Sequence, residues 1–420
     1  MQQQIGAWYG KYSEEVTALS RELWEYREAS LTEFKTCRAV ARFMESQGFA
    51  VKQVQAQNLG GEPNTVVARW GEGKPVIGFL GELDALPGLG QEAVPCRAPL
   101  DGPGHGCGHN LMGAGTAAAA CALKAAMEEE GLSGTVVYIG CPAEETLQGK
   151  VYLARDGYFD GMDLALVWHP GAADMNFGEM EMNAMTSILY KFYGTTAHGA
   201  HPWEGRSALD AAELTSVGSQ YLREHMTDKC RIHHVYHAAG EQPNIVPDFA
   251  SIYFYIRSQD DYNEELVRRM NLIAQGAATM TETRLEMEMK TSCHGYFCNH
   301  TLAKYTYEAA LKIPPLTYEK EDFDFARELY RSVTGKDCPD PENVIPTAPK
   351  KPDGVVQYCF GSTDVGEASY VLPTIQMYGC GQVRDMPSHH WSITAGSGTA
   401  IGQKAMLYAG KFWRRQVTTP

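Results

Sequence analysis

The sequence is organised around Gly104-His105-Gly106-Cys107-Gly108-His109-Asn110, which places a thiol and an imidazole two residues apart on a glycine-rich backbone. An apolar run precedes it at residues 75–83 and a small-residue segment follows at 111–126, so the pattern predicts a loop that enters a helix. Side chains at i and i+2 share one face of extended backbone, so Cys107 and His109 can bind one metal ion. The free N–H groups of a helix start also predict a lowered pKa for the Cys107 thiol. For this pair alone, a buried structural cysteine beside a helix-entry histidine is the alternative.

Length and composition predict a globular chain of two packed domains, because its 420 residues are 44% apolar and 21% charged. The net charge of -15 argues against nucleic acid or an anionic membrane as a partner. The apolar stretches are shorter than the ~20 residues of a membrane helix, and the first residues lack a signal-peptide pattern. The eleven cysteines are scattered without framework spacing, which favours reduced thiols. We therefore expect a cytoplasmic protein.

Polar side chains follow three predicted strands, at residues 76–81, 135–140 and 164–170. An open α/β sheet builds its site at the carboxyl ends of such strands. Asp84 follows the first strand and can orient a ligand histidine or contact metal. Glu144 and Glu145 follow the second, where one can bind a divalent ion while the other takes a proton from water. His169 ends the third. Taken singly, a loop-capping carboxylate, a solvated acidic turn and a core histidine are the alternatives.

Residues 187–299 show a different pattern, with strands at 187–193, 231–238, 250–257 and 284–291 and helices at 207–226 and 262–281. This βαββαβ order predicts a ferredoxin-like sandwich. Its open sheet edge and helical face form a candidate dimerisation surface. Its polar landmarks are His198, Asn244 and Arg257, for which proline-flanked turns and a surface arginine are the alternatives.

The other domain is predicted to comprise residues 1–186 and 300–420. We expect it to be an α/β unit with a mostly parallel central sheet flanked by helices. Two amphipathic helices between residues 8 and 47 open it, and a strand at 374–379 and a helix at 395–412 close it. A Pro-, Lys- and Asp-rich loop is predicted at 339–353. His389 or His390 can supply a last metal ligand.

Seven motifs stand in one order along the chain: GELDALPG (81–88), GHGCGHN (104–110), PAEE (142–145), WHP (168–170), AHGAHP (197–202), QPNIVP (242–247) and HHW (389–391). Together they resemble the carboxypeptidase G and aminoacylase superfamily of metal-dependent amidohydrolases. Cys107 with His109, and the phrase GSTDVG at 361–366, are similar to the branch of the p-aminobenzoyl-glutamate, hippurate and indole-acetyl-amino-acid hydrolases. The resemblance covers roughly residues 15–415.

The resemblance implies two divalent metal ions, Zn or Mn, in a catalytic domain at 1–186 and 300–420, with an inserted dimerisation and lid domain at 187–299. The implied metal ligands are Cys107, His109, Glu145, His169 and His389. Glu144 is the implied general base, and Asp84 supports a ligand. His198 matches a lid histidine that reaches a neighbouring active site and polarises the scissile carbonyl. Asn244 and Arg257 match positions that hold the free carboxylate of the substrate.

Two positions depart from the family pattern. The wider family has a metal-binding histidine two residues before the aspartate of the first motif, and this chain has Glu82 at that position. In this branch the thiolate of Cys107 takes over the role of metal ligand. The usual His-Pro-Glu near the N-terminus is replaced by Tyr26-Arg27-Glu28. His389 is preferred to His390 because it stands two residues before Trp391, as the branch has it.

The expected activity is that of a homodimeric metallo-amidohydrolase acting on N-acyl amino acids, p-aminobenzoyl-glutamate-like compounds or dipeptides. A metal-activated water attacks the amide, and Glu144 is the base. A dipeptidase with a narrow side-chain preference is one alternative. A thiol hydrolase with Cys107 as nucleophile and His109 as base is another. A non-catalytic binding or assembly subunit that kept the fold is the third.

Overall fold

The computed structural model describes residues 1–57 and 61–413, which form two compact units. The first comprises the described residues of 1–180, 298–357 and 368–413, and the second comprises Glu181–Phe297 with Tyr358–Glu367. The predicted ranges instead assign residues 358–367 to the larger domain. The catalytic and dimerisation roles given to those ranges stay predictions.

The helices of the described residues are α1 (Gln2–Tyr26), α2 (Phe34–Ser46), α3 (His109–Glu130), α4 (Gly149–Arg155), α5 (Ala208–Leu222), α6 (Asp260–Thr281), α7 (His300–Ala310), α8 (Lys320–Thr334), α9 (Val365–Val371), α10 (Trp391–Ser397) and α11 (Ala400–Ala409). Short 3-10 turns lie at Pro202–Glu204 and Arg223–His225. The strands are β1 (Ala50–Val54), β2 (Thr65–Glu72), β3 (Val76–Glu82), β4 (Gly134–Cys141), β5 (Leu164–Gly171), β6 (Met180–Met182), β7 (Ala184–Tyr193), β8 (Arg231–Ala238), β9 (Phe249–Ser258), β10 (Arg284–Cys293), β11 (Gln357–Cys359) and β12 (Thr374–Gly381).

The first unit is built on a six-stranded sheet in the order β1-β2-β4-β3-β5-β12. β4, β3, β5 and β12 are parallel, and β2 and β1 add on antiparallel at one edge, which confirms the mostly parallel sheet. Every residue of β3 and β4 is buried, as expected for parallel strands covered by helices on both faces. Because β3, β4 and β5 are parallel, their carboxyl ends meet at one edge of the sheet.

Helix α3 starts at His109, directly after the glycine-rich loop, and is buried along most of its length. Gly108 is its N-cap, with a φ of 89° in the left-handed region that favours glycine. Small residues let the helix lie close to its neighbours, since a Cβ on Gly113 would come within 2.8 Å of the Leu83 side chain. The predicted loop-to-helix transition is therefore confirmed.

The second unit follows the order β7-α5-β8-β9-α6-β10 and forms an antiparallel sheet in the order β10-β7-β9-β8. Ile252, Phe254 and Ile256 alternate along β9 and pack in one core with Leu266 of α6. This arrangement confirms the ferredoxin-like βαββαβ prediction. A separate two-stranded sheet pairs β6 with β11.

Some boundaries differ from the prediction. The helix expected at 395–412 is two helices, α10 and α11, because the Thr399 side chain accepts a hydrogen bond from the Ile401 N–H and starts a new helix. Strand β1 and helix α4 were not predicted. Among the residues that the structure describes, no helix combines the length and apolar composition needed to cross a bilayer.

Candidate metal centre

The carboxyl ends of β3, β4 and β5, the start of α3 and the loop before α10 bring acidic, imidazole and thiol side chains together in the first unit. Their ligand atoms form three overlapping groups, each with all atoms within 4.8 Å of one another. The groups are Cys107 with His109 and His169, Cys107 with Glu145 and His389, and Glu82 with His109 and Glu144. All five predicted ligands are thus brought together, and Glu82 joins them.

His109 is fully buried and is held by Asp84. Its Nδ1 lies 3.1 Å from Asp84 Oδ1 and 3.1 Å from the Asp84 carbonyl oxygen, so an Nδ1–H donates to Asp84 and Nε2 faces the other way. Nε2 lies 3.2 Å from Glu82 Oε2 and 3.9 Å from the nearest oxygens of Glu144 and Glu145. Asp84 therefore has the position expected of a group that orients a metal-binding histidine.

His169 faces Cys107 in the same way. Its Nδ1 donates to the Pro170 carbonyl oxygen at 2.7 Å, and its Nε2 lies 3.3 Å from Cys107 Sγ. Its ring stacks on Tyr378 of β12 at 5.1 Å between centroids, which restricts its rotation. The nitrogen directed at the thiol is therefore the one available as a metal ligand.

His389 and His390 have different positions. His389 Nε2 lies 3.4 Å from Glu145 Oε2, and its backbone has a φ of 51° in the left-handed region. His390 is the N-cap of α10, where its Nδ1 accepts from the Ser392 N–H. The structure thus brings His389, and not His390, into the group of ligand atoms.

Burial and negative charge dominate the electrostatics. Burial, with the charge of Glu145, raises the pKa of the Cys107 thiol to about 12, so the predicted lowering of this pKa is wrong. The helix start does not offset the loss of water and the surrounding carboxylates. Burial also raises the pKa of Glu145 to about 8, with Asp84 and Glu82 adding to it. A thiolate at Cys107 requires a neighbouring cation, which deprotonates a coordinating thiol.

The chemistry of these side chains fits divalent cations. His109 Nε2, Glu82 Oε2 and Glu145 Oε1 are buried and make no hydrogen bond to any residue that the structure describes. Buried polar atoms are normally paired, so two such carboxylate oxygens at 3.2 and 3.9 Å from His109 Nε2 indicate a ligand beside this nitrogen. Imidazole, carboxylate and thiolate donors are those that Zn binds, and imidazole and carboxylate also suit Mn.

The remaining predicted residues lie in the second unit. His198 is exposed and its Nδ1 accepts from the Ala200 N–H, and an antiparallel bridge to Ile245 places its loop beside Asn244. Arg257 lies near the end of β9, with its guanidinium 5.8 Å from the centre of the Tyr255 ring. The roles assigned to these three residues stay predictions.

Two residues at the centre were not predicted as site residues. The sequence pattern identifies Glu82 only as a departure from the family's motif and gives Lys150 no role in the site. Both side chains are fully buried, and Lys150 Nζ lies 2.8 Å from Glu82 Oε1. Two features of the sequence point to Glu82: it ends an otherwise apolar strand, and it stands two residues before Asp84, where the wider family has a metal-binding histidine. Nothing in the sequence marks Lys150 of α4 as buried.

Comparison with known proteins identifies the family of this chain. Residues 78–391 match the model of peptidase family M20/M25/M40. The chain is 35% identical to one subunit of the p-aminobenzoyl-glutamate hydrolase of Escherichia coli (strain K12), over 94% of this chain and 86% of that one. It is 28% identical to the Xaa-Arg dipeptidase of Mus musculus, over 87% and 76% respectively.

The fold also matches a solved structure from Bacillus subtilis, described as a dinuclear metal binding peptidase from the M20 family, with a TM-score of 0.58. The match has 20% sequence identity and covers 96% of this chain and 98% of that one. The sequence resemblance to amidohydrolases is confirmed, and the chain belongs to peptidase family M20/M25/M40, whose members hydrolyse amide bonds.

Proposed function

We propose that this M20-family hydrolase cleaves the amide bond of N-acyl amino acids, p-aminobenzoyl-glutamate-like compounds or dipeptides, with two divalent cations, Zn or Mn. The observation that carries the proposal is the convergence of five ligand side chains, drawn from residues 107 to 389, into two groups that share Cys107. The names of the Escherichia coli and mouse relatives support an amide substrate with a free carboxylate.

The two groups suggest how the cations would be held. His109 and His169 would bind one, Glu145 and His389 the other, and the Cys107 thiolate would serve both. When bound, divalent cations polarise a carbonyl oxygen and lower the pKa of a water from about 15.7 towards about 7. Asp84 keeps the His109 ring in the required orientation and tautomer.

Glu144 is the residue to which the proposal assigns proton transfer. Its side chain is mostly buried, and its Oε2 lies 3.9 Å from His109 Nε2, in the group that also contains Glu82. In the proposed mechanism its carboxylate accepts a proton from the attacking water and passes it to the leaving nitrogen of the amide. Glu144 thereby acts as base and then as acid.

Substrate recognition is assigned to the second unit. His198 would polarise the scissile carbonyl, and Asn244 and Arg257 would hold the carboxylate of the amino-acid half. These roles are supported by the motif positions of the three residues in the family. The permanent positive charge of Arg257 suits a carboxylate partner.

The proposal includes a cytoplasmic homodimer. None of the eleven cysteines, all of them in the described part of the chain, forms a disulfide, which suits a reducing compartment. Among the described residues β8 has a paired strand on one side only, and it exposes Val235 and Tyr236. An unpaired strand edge that exposes apolar side chains is a template for pairing with a second copy.

A substrate panel tests the proposal. Purified protein loaded with Zn or Mn is assayed with p-aminobenzoyl, benzoyl, indole-acetyl and dipeptide amides, each also as its C-terminal carboxamide. We expect hydrolysis of at least one carboxylate-bearing amide and much weaker hydrolysis of its carboxamide. A protein with bound metal and no hydrolysis across the panel would instead support an assembly role, since the Escherichia coli relative is itself one subunit of a hydrolase.

A further inference from the structure

Glu82 ends strand β3 with its two carboxylate oxygens directed at different groups. Oε1 lies 2.8 Å from the Nζ of Lys150, and both side chains are fully buried. Oε2 lies 3.2 Å from His109 Nε2. Neither Oε2 nor Nε2 makes a hydrogen bond to any residue within the described ranges. The ion pair with Lys150 therefore fixes one oxygen and leaves the other facing a ligand nitrogen.

The contact between Oε2 and Nε2 needs a positive charge. His109 uses its Nδ1–H for Asp84, so Nε2 presents a lone pair when the ring is neutral, and Oε2 presents another. Two lone pairs at this distance repel each other unless a positive charge lies between them. A proton on Nε2 does not supply that charge through a hydrogen bond, because neither Nε2 nor Oε2 makes a hydrogen bond to a described residue. Atoms bound to one tetrahedral zinc at about 2.0–2.2 Å are roughly 3.3–3.6 Å apart, close to the observed distance.

We propose that Glu82 is a further ligand of the cation that His109 binds, and that Lys150 is a positioning residue that directs Glu82 Oε2 at that cation. This inference deepens the proposed function and rests on its metal centre. Removing either partner of a buried ion pair leaves the other charge uncompensated, so Lys150 cannot be replaced by an apolar residue without disturbing Glu82. Glu144, farther from His109 Nε2 than Glu82 is, stays available for proton transfer.

Metal binding tests the inference without an activity assay. Chelator-treated wild type, Glu82→Gln, Glu82→Asp and Lys150→Met are titrated with Zn²⁺ by calorimetry, and bound metal per chain is counted by mass spectrometry. Lys74→Met is the matched control, because Lys74 also pairs with a carboxylate, Asp163 at 2.7 Å, but at the surface of the same unit.

We expect Glu82→Gln to weaken one of the two sites at least 10-fold and leave the other unchanged. Lys150→Met should weaken the same site by a smaller factor, and Lys74→Met should change neither. The visible absorption of Co²⁺-loaded Glu82→Gln should also differ from that of wild type, because a ligand to the metal has changed. Circular dichroism shows whether Glu82→Gln is folded. If it is not, Glu82→Asp replaces it in the test, because this variant keeps the charge but has a shorter side chain. We expect the same loss of Zn²⁺ affinity at the same site.

The inference would be overturned if folded Glu82→Gln bound two Zn²⁺ ions with wild-type affinity and its Co²⁺ spectrum were unchanged. The proposed function would still stand. A wild-type protein that binds no divalent metal would overturn both.

Discussion

Replacing Asp84 with asparagine tests how the candidate metal centre is held. The Asp84 carboxylate accepts hydrogen bonds from the His109 Nδ1–H at 3.1 Å, the Ser30 hydroxyl at 2.7 Å and the Glu145 N–H at 3.0 Å. Asparagine has one oxygen in place of two, so its NH₂ group must face a donor. The lost charge also removes the group that makes Nε2 of His109 a stronger ligand.

The expected size of the effect follows from these contacts. A hydrogen bond to a charged group contributes about 1.5–3 kcal/mol, and loss of a carboxylate behind a ligand histidine lowers metal affinity about 10–100-fold. At about 1.4 kcal/mol per tenfold the two estimates agree. We therefore expect Asp84→Asn to bind Zn²⁺ about 10–100-fold more weakly than wild type.

The assay is competition for Zn²⁺ between the chelator-treated protein and a chromophoric chelator. Asp163→Asn is the control, because Asp163 also accepts a backbone hydrogen bond, from Val76 at 2.6 Å, but lies outside the ligand groups. Asp84→Asn with wild-type affinity, or an equal loss in Asp163→Asn, would refute the argument that Asp84 acts through His109.

Three further predictions concern the same centre. Glu144→Ala should keep its metals and lose about 100- to 10,000-fold in turnover, measured with metal content on one preparation; substantial residual activity would rule out its role as base. His389→Ala should lose metal and activity, whereas His390→Ala should cost only about 1 kcal/mol of stability from the α10 cap, by denaturant titration; the reverse pattern would exchange their roles. Chelation should abolish hydrolysis and added Zn²⁺ or Mn²⁺ should restore it, since a thiol hydrolase would stay active throughout.

Local sequence pattern predicted the parts of the fold that local chemistry determines. Strand β3 is apolar up to its last residue, Glu82, and β4 is mostly apolar, so both were expected to be buried, and the small residues after Cys107 were expected to form a closely packed helix. Because parallel strands share one carboxyl edge, the polar residues after them could be expected to meet. Glu145 and His169 meet for this reason, whereas Cys107 and His109 stand at the start of α3 and His389 lies in the loop before α10.

The parts that could not be predicted depend on contacts between distant residues. Helix α10 ends where Gly398 packs against Trp24, whose indole N–H donates to the Thr394 carbonyl oxygen at 2.8 Å. Residues 358–367 join the second unit through Asn183, which bonds the backbone of Phe360 and Gly361. Neither contact has a signature in the local sequence.

The pKa of the Cys107 thiol also could not be predicted from the local sequence. A helix start predicts a thiolate from local geometry alone, but burial and Glu145, which follows a different strand, determine the outcome. Electrostatics at the centre therefore depend on which chain segments meet there, and the motif by itself could not predict them.

The most direct test of the metal centre is a crystal structure of the Zn- or Mn-loaded protein with anomalous diffraction at the metal edge. We expect two anomalous peaks per chain, each about 2.0–2.3 Å from ligand atoms of the set Cys107, His109, Glu145, His169 and His389. Peaks elsewhere in the chain, or no peak within bonding distance of these side chains, would contradict the account.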